Sequence, residues 1–190
     1  MDGIKGLSRE RVGAEMLKLL AAPKPSPSVS KMRSVGLLQL CLPGSDDDAL
    51  AILEQLESEV DALPDALRRL SVLGGDEAAK ALRLSRTQQK MLSVLRDGAA
   101  SLEAPSELAY RHSAGVARDI VLLRSALAGT NLPSDLEDLI DLGRRSVFPI
   151  KARDLMPDYE GIYLGVKLRE LEAVWIESNF SMDRSDLLEF

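Results

Sequence analysis

Apolar residues recur along this chain at three- and four-residue intervals, the period of a helix that buries one face. Val12, Met16, Leu19 and Leu20 form one such stripe, with Ser8 placed as its N-cap. Pro23, Pro25 and Pro27 end that helix and predict an extended linker, because each proline disfavours helix in the residue before it. A short helix carrying Val29 and Met32 follows, closed by Gly36, the apolar run Leu37 to Leu42 and a Pro43-Gly44 stop. Ser45 is expected to cap the next helix. Asp46, Asp47 and Asp48 then fall in its first turn, where the helix dipole favours carboxylates, and Leu50, Leu53, Leu56 and Val60 line its inner face.

Pro64 predicts the first turn of a helix running to Gly74-Gly75. Ser85 and Gln88 have capping-box spacing and open a helix that reaches Arg96. Pro105, Gly115 and Pro133 punctuate three further helical stretches, the middle one spanning Val116 to Leu127. No segment alternates apolar and polar residues between turn signals as a strand does. The pattern predicts an all-α fold, a multi-helical array of short helices, without the fixed repeat of a solenoid. Three segments differ in character: 1–44, a helix and Pro-rich connector; 45–131, a helical body; and 132–190, a tail unit.

Composition narrows the function classes. With 45% hydrophobic and 28% charged residues, the 190-residue chain can bury a core. It has no apolar run near the ~18 residues of a membrane helix. The start MDGIKGLSRER lacks the basic-then-apolar layout of a secretory signal. A single cysteine, Cys41 in the run LLQLCLPG, forms no internal disulfide; it reads as a small buried residue in a reducing cytosol. The formal net charge of −6 is the wrong sign for a protein that coats nucleic acid over its whole surface and weighs against RNA contact, so any such contact must be a local patch.

Catalytic and metal chemistry are poorly supplied. One histidine, His112, and one cysteine exclude a His/Cys metal cluster. Gly-rich phosphate loops and nucleophile elbows are absent from the sequence. Adjacent helical residues point in different directions, so Asp46, Asp47 and Asp48 are expected to cap a helix and not to converge on one ion. No catalytic and no metal-binding residue is assigned.

Charge is segregated along the chain. Residues 46 to 65 hold eight acids and no Lys or Arg. Arg68, Arg69, Lys80, Arg83, Arg86, Lys90 and Arg96 then follow within two helical segments, with only Asp76 and Glu77 opposing them between Arg69 and Arg96. Such a face would track a phosphate backbone by releasing its counterions, or else be an Arg-rich solvated surface. Arg118 and Arg124, six apart, do not share a helix face.

The stretch Phe148 to Phe190 concentrates the aromatic residues: the only Trp, all three Phe and two of the three Tyr. Asp158-Tyr159-Glu160-Gly161 precedes a helix whose inner stripe is Leu164, Leu168, Leu171, Val174 and Trp175. Gly161 and Gly165 permit close approach of another backbone, or of a phosphate at the helix start, with Lys151, Arg153 and Lys167 as its cations. Trp175 reads as core, not as a base-stacking platform.

Phe148-Pro149, Arg153-Asp154-Leu155, Gly161, Gly165, Leu168, Glu172 and Trp175-Ile176 follow, in order, the tail pattern of class II CCA tRNA nucleotidyltransferases and their bacterial poly(A) polymerase relatives. Ala152 stands where that family usually has Gly, and Pro157-Asp158 replaces part of a Gly-containing turn. The segment LSRERVGAEMLKLLAAPKPSPSVSKMRSVGLL resembles the end of the family's neck. There Arg11 and Glu15, spaced i,i+4, match two polar residues that brace the nucleotide-selecting segment. The resemblance implies a C-terminal fragment, with the catalytic head and its paired aspartates and Mg2+ upstream of Met1. It implies tRNA as partner, held outside the active site by shape and backbone, with Arg83, Arg86, Lys90, Lys151, Arg153, Gly161 and Lys167 as contacts. DNA and membranes are not expected as partners. Two alternatives stay open: a stand-alone helical interaction protein, and a fragment of a poly(A) polymerase.

Overall fold

The computed structural model describes residues 8–190. The first seven residues, which carry most of the N-terminal layout read against a secretory signal, lie outside the described residues. Among those described there are twelve α-helices, one 3-10 helix and a single isolated β-bridge between Ser45 and Gly74, so the all-α expectation holds. Among the described residues, no helix is long and apolar enough to cross a membrane.

The chain divides into two compact units. The first comprises Met1–Glu103 and Arg118–Ser134, the second Ala104–Ala117 and Asp135–Phe190. In the first unit, α1 (Arg9–Leu20), α2 (Ser26–Ser34) and α3 (Leu37–Cys41) precede α4 (Leu50–Glu59) and α5 (Ala66–Leu73). Then come α6 (Ala78–Ala81), α7 (Arg86–Ala100) and most of α9 (Ala114–Ala128). Helix α5 is the hub, packing against α1, α4 and α7. Leu20, Leu53, Leu70, Leu73, Leu95 and Ile120 are fully buried in this unit. Two of the expected caps form: Ser8 accepts from the Arg11 amide, and Ser85 with Gln88 makes the capping box of α7.

Four local expectations are corrected. Helix α4 starts at Leu50, and neither Ser45 nor the three aspartates belong to it. The reason is backbone pairing: the Asp46 amide donates to the Leu73 carbonyl and the Asp76 amide to that of Pro43, both at 2.8 Å, which ties the turn at Pro43-Gly44 and the bridged Ser45 to residues 73–76 and keeps them out of the helix. Pro27 lies in the first turn of α2, where its missing N–H is tolerated, so the linker after α1 is only residues 21–25. Asp65, one residue after Pro64, is the N-cap of α5, its carboxylate accepting from the Arg68 amide at 2.7 Å. Gly115 lies inside α9 and does not break it.

The second unit contains α8 (Pro105–Arg111), α10 (Leu136–Arg145), a 3-10 turn (Ala152–Asp154), α11 (Gly161–Glu177) and α12 (Arg184–Leu188). Helix α8 packs on α10, and α11 on the 3-10 turn. Ile150, Leu155, Leu171, Trp175, Ile176 and Leu187 form its core. The Trp175 ring meets those of Phe180 at 4.9 Å and of Tyr110 and Phe148 at 5.5 Å, so the expectation that Trp175 is core holds. Phe180 has φ +61°, a conformation unfavourable for a side chain of its size, and its ring packing against Trp175 and Tyr110 offsets the strain.

Candidate nucleic-acid interface

Three of the arginines that make the sequence look basic are spent inside the fold. Arg69 is 2% exposed and forks onto Glu57, with 2.6 Å from Nη2 and 2.9 Å from Nε to Oε2. Its Nη1 also donates to the carbonyls of Leu20 and Ala22 at the end of α1. Arg96 donates to the carbonyls of Leu70, Gly74 and Gly75, which closes the end of α5. Arg124 donates to the Gly98 and Glu103 carbonyls, at 2.8 Å and 2.6 Å, closing the end of α7. Each guanidinium thus answers the unpaired carbonyls and negative dipole of a helix C-terminus. Burial lowers the pKa of both Arg96 and Arg124 below the ordinary arginine value.

Arg68 is internal as well. Its Nε binds Glu57 at 2.8 Å, Nη1 binds Asp119 at 2.5 Å and Nη2 binds the Leu63 carbonyl at 2.7 Å. Burial by itself would lower its pKa, but the carboxylates of Asp119 and Glu57 outweigh that and raise it. Arg68, Arg69 and Arg96 therefore drop out of the basic face, whether phosphate-tracking or simply solvated, that the sequence pattern offered. Arg124, from α9, serves structure too. Glu57, the acid that joins Arg68 to Arg69, escapes sequence reading because it stands among seven other acids with nothing to set it apart.

What remains at the surface is narrower. Arg83, Arg86 and Lys90 are exposed, on the loop before α7 and on its first turns. Arg83 is in the left-handed region at φ +53°, and its Nε lies 3.5 Å from the Glu10 carboxylate on α1. Beside that pair, Gly13 of α1 sits directly on the Leu82 carbonyl, where a Cβ would overlap the oxygen. Arg9 and Arg11, both exposed, flank Glu10 on α1. The fold thus brings the start of α1 next to Arg83, on the loop that leads into α7. Lys80, also exposed, is paired with Glu77 at 3.0 Å.

On another side of α1, Arg11 and Glu15 stand at the edge of a groove of about 200 Å3 between α1, α2 and α3. Val12, Met16, Leu19, Met32, Leu37 and Cys41 line it. Cys41 is half-buried, not fully buried as expected, and burial pushes its thiol pKa up.

The three aspartates meet a correction of their own. Released from helical geometry, their carboxylate oxygens lie within 4.8 Å of one another. The cation among them is Arg33 of α2, with Nη1 at 2.7 Å from Asp47 and 2.5 Å from Asp48, and Nη2 at 3.7 Å from Asp46.

In the second unit, Lys151 and Arg153 are exposed at the 3-10 turn. Asp154 accepts from Arg184 at 3.1 Å and from the Lys151 amide at 2.8 Å, and these bonds hold its carboxyl below the ordinary value. Gly161 opens α11 at φ +56°, in the conformation that favours glycine. A Cβ there would meet no atom within 4 Å, and one on Gly165 only the Arg169 guanidinium at 3.7 Å. No backbone packs closely on either glycine among the described residues. Lys167 is half-buried, its Nζ 5.9 Å from the Tyr159 ring centroid and 4.0 Å from Glu170. The Tyr110 hydroxyl, which sequence reading passed over, donates to Glu172 at 2.5 Å. A signal was present: Tyr110 is the one tyrosine outside the aromatic-rich tail.

Residues 2–48 match the family model described as "Probable RNA and SrmB- binding site of polymerase A". The match covers α1, α2, α3 and the three aspartates, and leaves the rest of the chain outside it. No curated protein matches the chain.

Proposed function

We propose that this chain is the RNA-holding portion of a poly(A) polymerase-like nucleotidyltransferase, and that the RNA it holds is tRNA during CCA addition. The observation that carries the RNA reading is the seat of Gly13 on Leu82: it sets the family-matched helix beside Arg83, the first of the exposed cations Arg83, Arg86 and Lys90 that lead into α7. Phosphates bound along this surface would displace condensed counterions, so affinity would fall steeply with salt. The acidic remainder of the chain confines such binding to the patch. The choice of tRNA rests on the tail pattern from Phe148 to Ile176, with Lys151, Arg153, Gly161 and Lys167 as its contacts. The family description pairs RNA with a protein, SrmB, and both are carried over to this chain as its partners.

Fluorescence anisotropy of the chain with a tRNA transcript, an oligo(A) of equal length and a DNA duplex tests this reading. The expected order is tRNA, then oligo(A), then DNA. Absence of tRNA binding at about 50 mM salt overturns it. The description's naming of polymerase A favours a second reading, poly(A) addition by the parent enzyme. Preference for oligo(A) over tRNA would select it.

A further inference from the structure

Helix α1 presents two chemically different sides. Glu10 and Gly13 face the loop that carries Arg83, whereas Val12, Met16 and Leu19 lie on the other side of the helix and line the groove. The groove contains no charged group except Arg11 and Glu15. A phosphodiester backbone laid in it would lose water without gaining partners, so RNA is excluded from it on chemical grounds. An apolar helix face would be accepted. Such a face, with apolar residues one turn apart, fills a groove of this kind. Two methionine thioethers and the Cys41 thiol give a lining that adapts to the shape of what enters. Val35 and Leu40, 46% and 47% exposed on the same segment, add apolar surface.

We infer that the two ligands of this segment bind separate faces of α1, with RNA on the Arg83 side and an amphipathic helix of the protein partner in the α1–α3 groove. The inference rests on the functional reading above, which brings a protein partner to this segment, and it adds the place and the chemistry. Arg11 and Glu15, one turn apart, call for an acid and a base one turn apart on the incoming helix. Their order fixes its direction, since the reversed helix would set like charges together.

Isothermal titration calorimetry of the full chain with purified SrmB, and separately with a tRNA transcript, provides the test. The wild-type chain is expected to bind both, and saturating tRNA is expected to leave SrmB affinity within about twofold, since the faces are separate. Leu37→Glu should weaken SrmB at least tenfold and leave tRNA affinity unchanged. If circular dichroism shows that this variant does not fold, the exchange Arg11→Glu with Glu15→Arg, at two exposed positions, takes its place and should weaken SrmB severalfold. Arg86→Ala with Lys90→Ala should do the reverse, losing tRNA and keeping SrmB. The inference is overturned if SrmB does not bind the wild-type chain, or if SrmB affinity survives in the folded groove variants. It is also overturned if the groove pairs two copies of the chain, seen as a concentration-dependent dimer that the groove variants abolish. Loss of tRNA binding with SrmB retained would instead sink the functional reading and spare the groove.

Discussion

Arg69 and Glu57 form a forked ion pair at the centre of the first unit, with each residue 2% exposed. Glu57 also takes the Nε of Arg68, so one carboxylate serves two buried guanidinia. Glu57→Ala should therefore destabilise the first unit by about 3–5 kcal/mol, because two buried cations lose their shared partner. Replacing Glu57 and Arg69 together by methionine should recover part of that loss. Recovery would be limited, because Arg69 also holds the carbonyls of Leu20 and Ala22. Urea unfolding of the single and double variants measures both effects, and a Glu57→Ala loss under about 1 kcal/mol would contradict this account.

Gly13→Ala inserts a methyl group where the Leu82 carbonyl lies. Neither backbone can yield without separating α1 from the loop before α7. A loss of about 1–3 kcal/mol is expected, the range for overpacking. On the proposed function, tRNA affinity should fall as well, since α1 and Arg83 would no longer be adjacent. An Ala14→Gly control, at an exposed position of the same helix, should cost only about 1 kcal/mol from helix propensity and spare the affinity.

In the second unit, burial raises the Tyr110 pKa to about 12, helped by its hydrogen bond to Glu172. The unfolded value is about 10, so the folded state holds this proton more tightly. The stability it contributes is complete below pH ~10 and is lost as pH rises through ~12. Absorbance of the phenolate near 295 nm should show one tyrosine titrating close to pH 12, and Tyr110→Phe should remove that step. Persistence of the step in the variant would assign it to another residue.

Much of the fold was legible because helix signals are local. The Ser8 cap, the Ser85–Gln88 box and the leucine stripe of α11 all lie within a few residues of what they control. The errors arose where distant backbone intervened. The helix after Ser45 starts late because residues 43–46 pair with residues 73–76, about thirty positions on. The basic face suffered in the same way. Nothing near Arg69 or Arg96 in sequence says that the end of α1 or of α5 will fold back onto its side chain. Arg83, Arg86 and Lys90 were legible as cations, but not the adjacency of Arg83 to α1, which depends on a contact across about seventy residues.

That adjacency separates two kinds of arginine by experiment. Arg83 pairs with Glu10 but stands at φ +53°, a conformation that stores about 1 kcal/mol or more for a residue with a Cβ. Arg83→Gly should therefore leave stability unchanged or raise it by about 0.5–1 kcal/mol, since the loss of an exposed ion pair weighs little against strain relief. If the proposed surface binds RNA, the same change should weaken tRNA binding, so that stability and affinity move in opposite directions. Replacing Arg83, Arg86 and Lys90 together by alanine should lower the slope of log affinity against log salt by about two to three, close to one for each phosphate contact removed. Arg124→Ala predicts the contrary pattern. The end of α7 loses the donors to Gly98 and Glu103, so stability falls, while the salt slope of the folded protein stays where it was. A lower slope in folded Arg124→Ala, or an unchanged one in the triple variant, would move the RNA surface away from the start of α7.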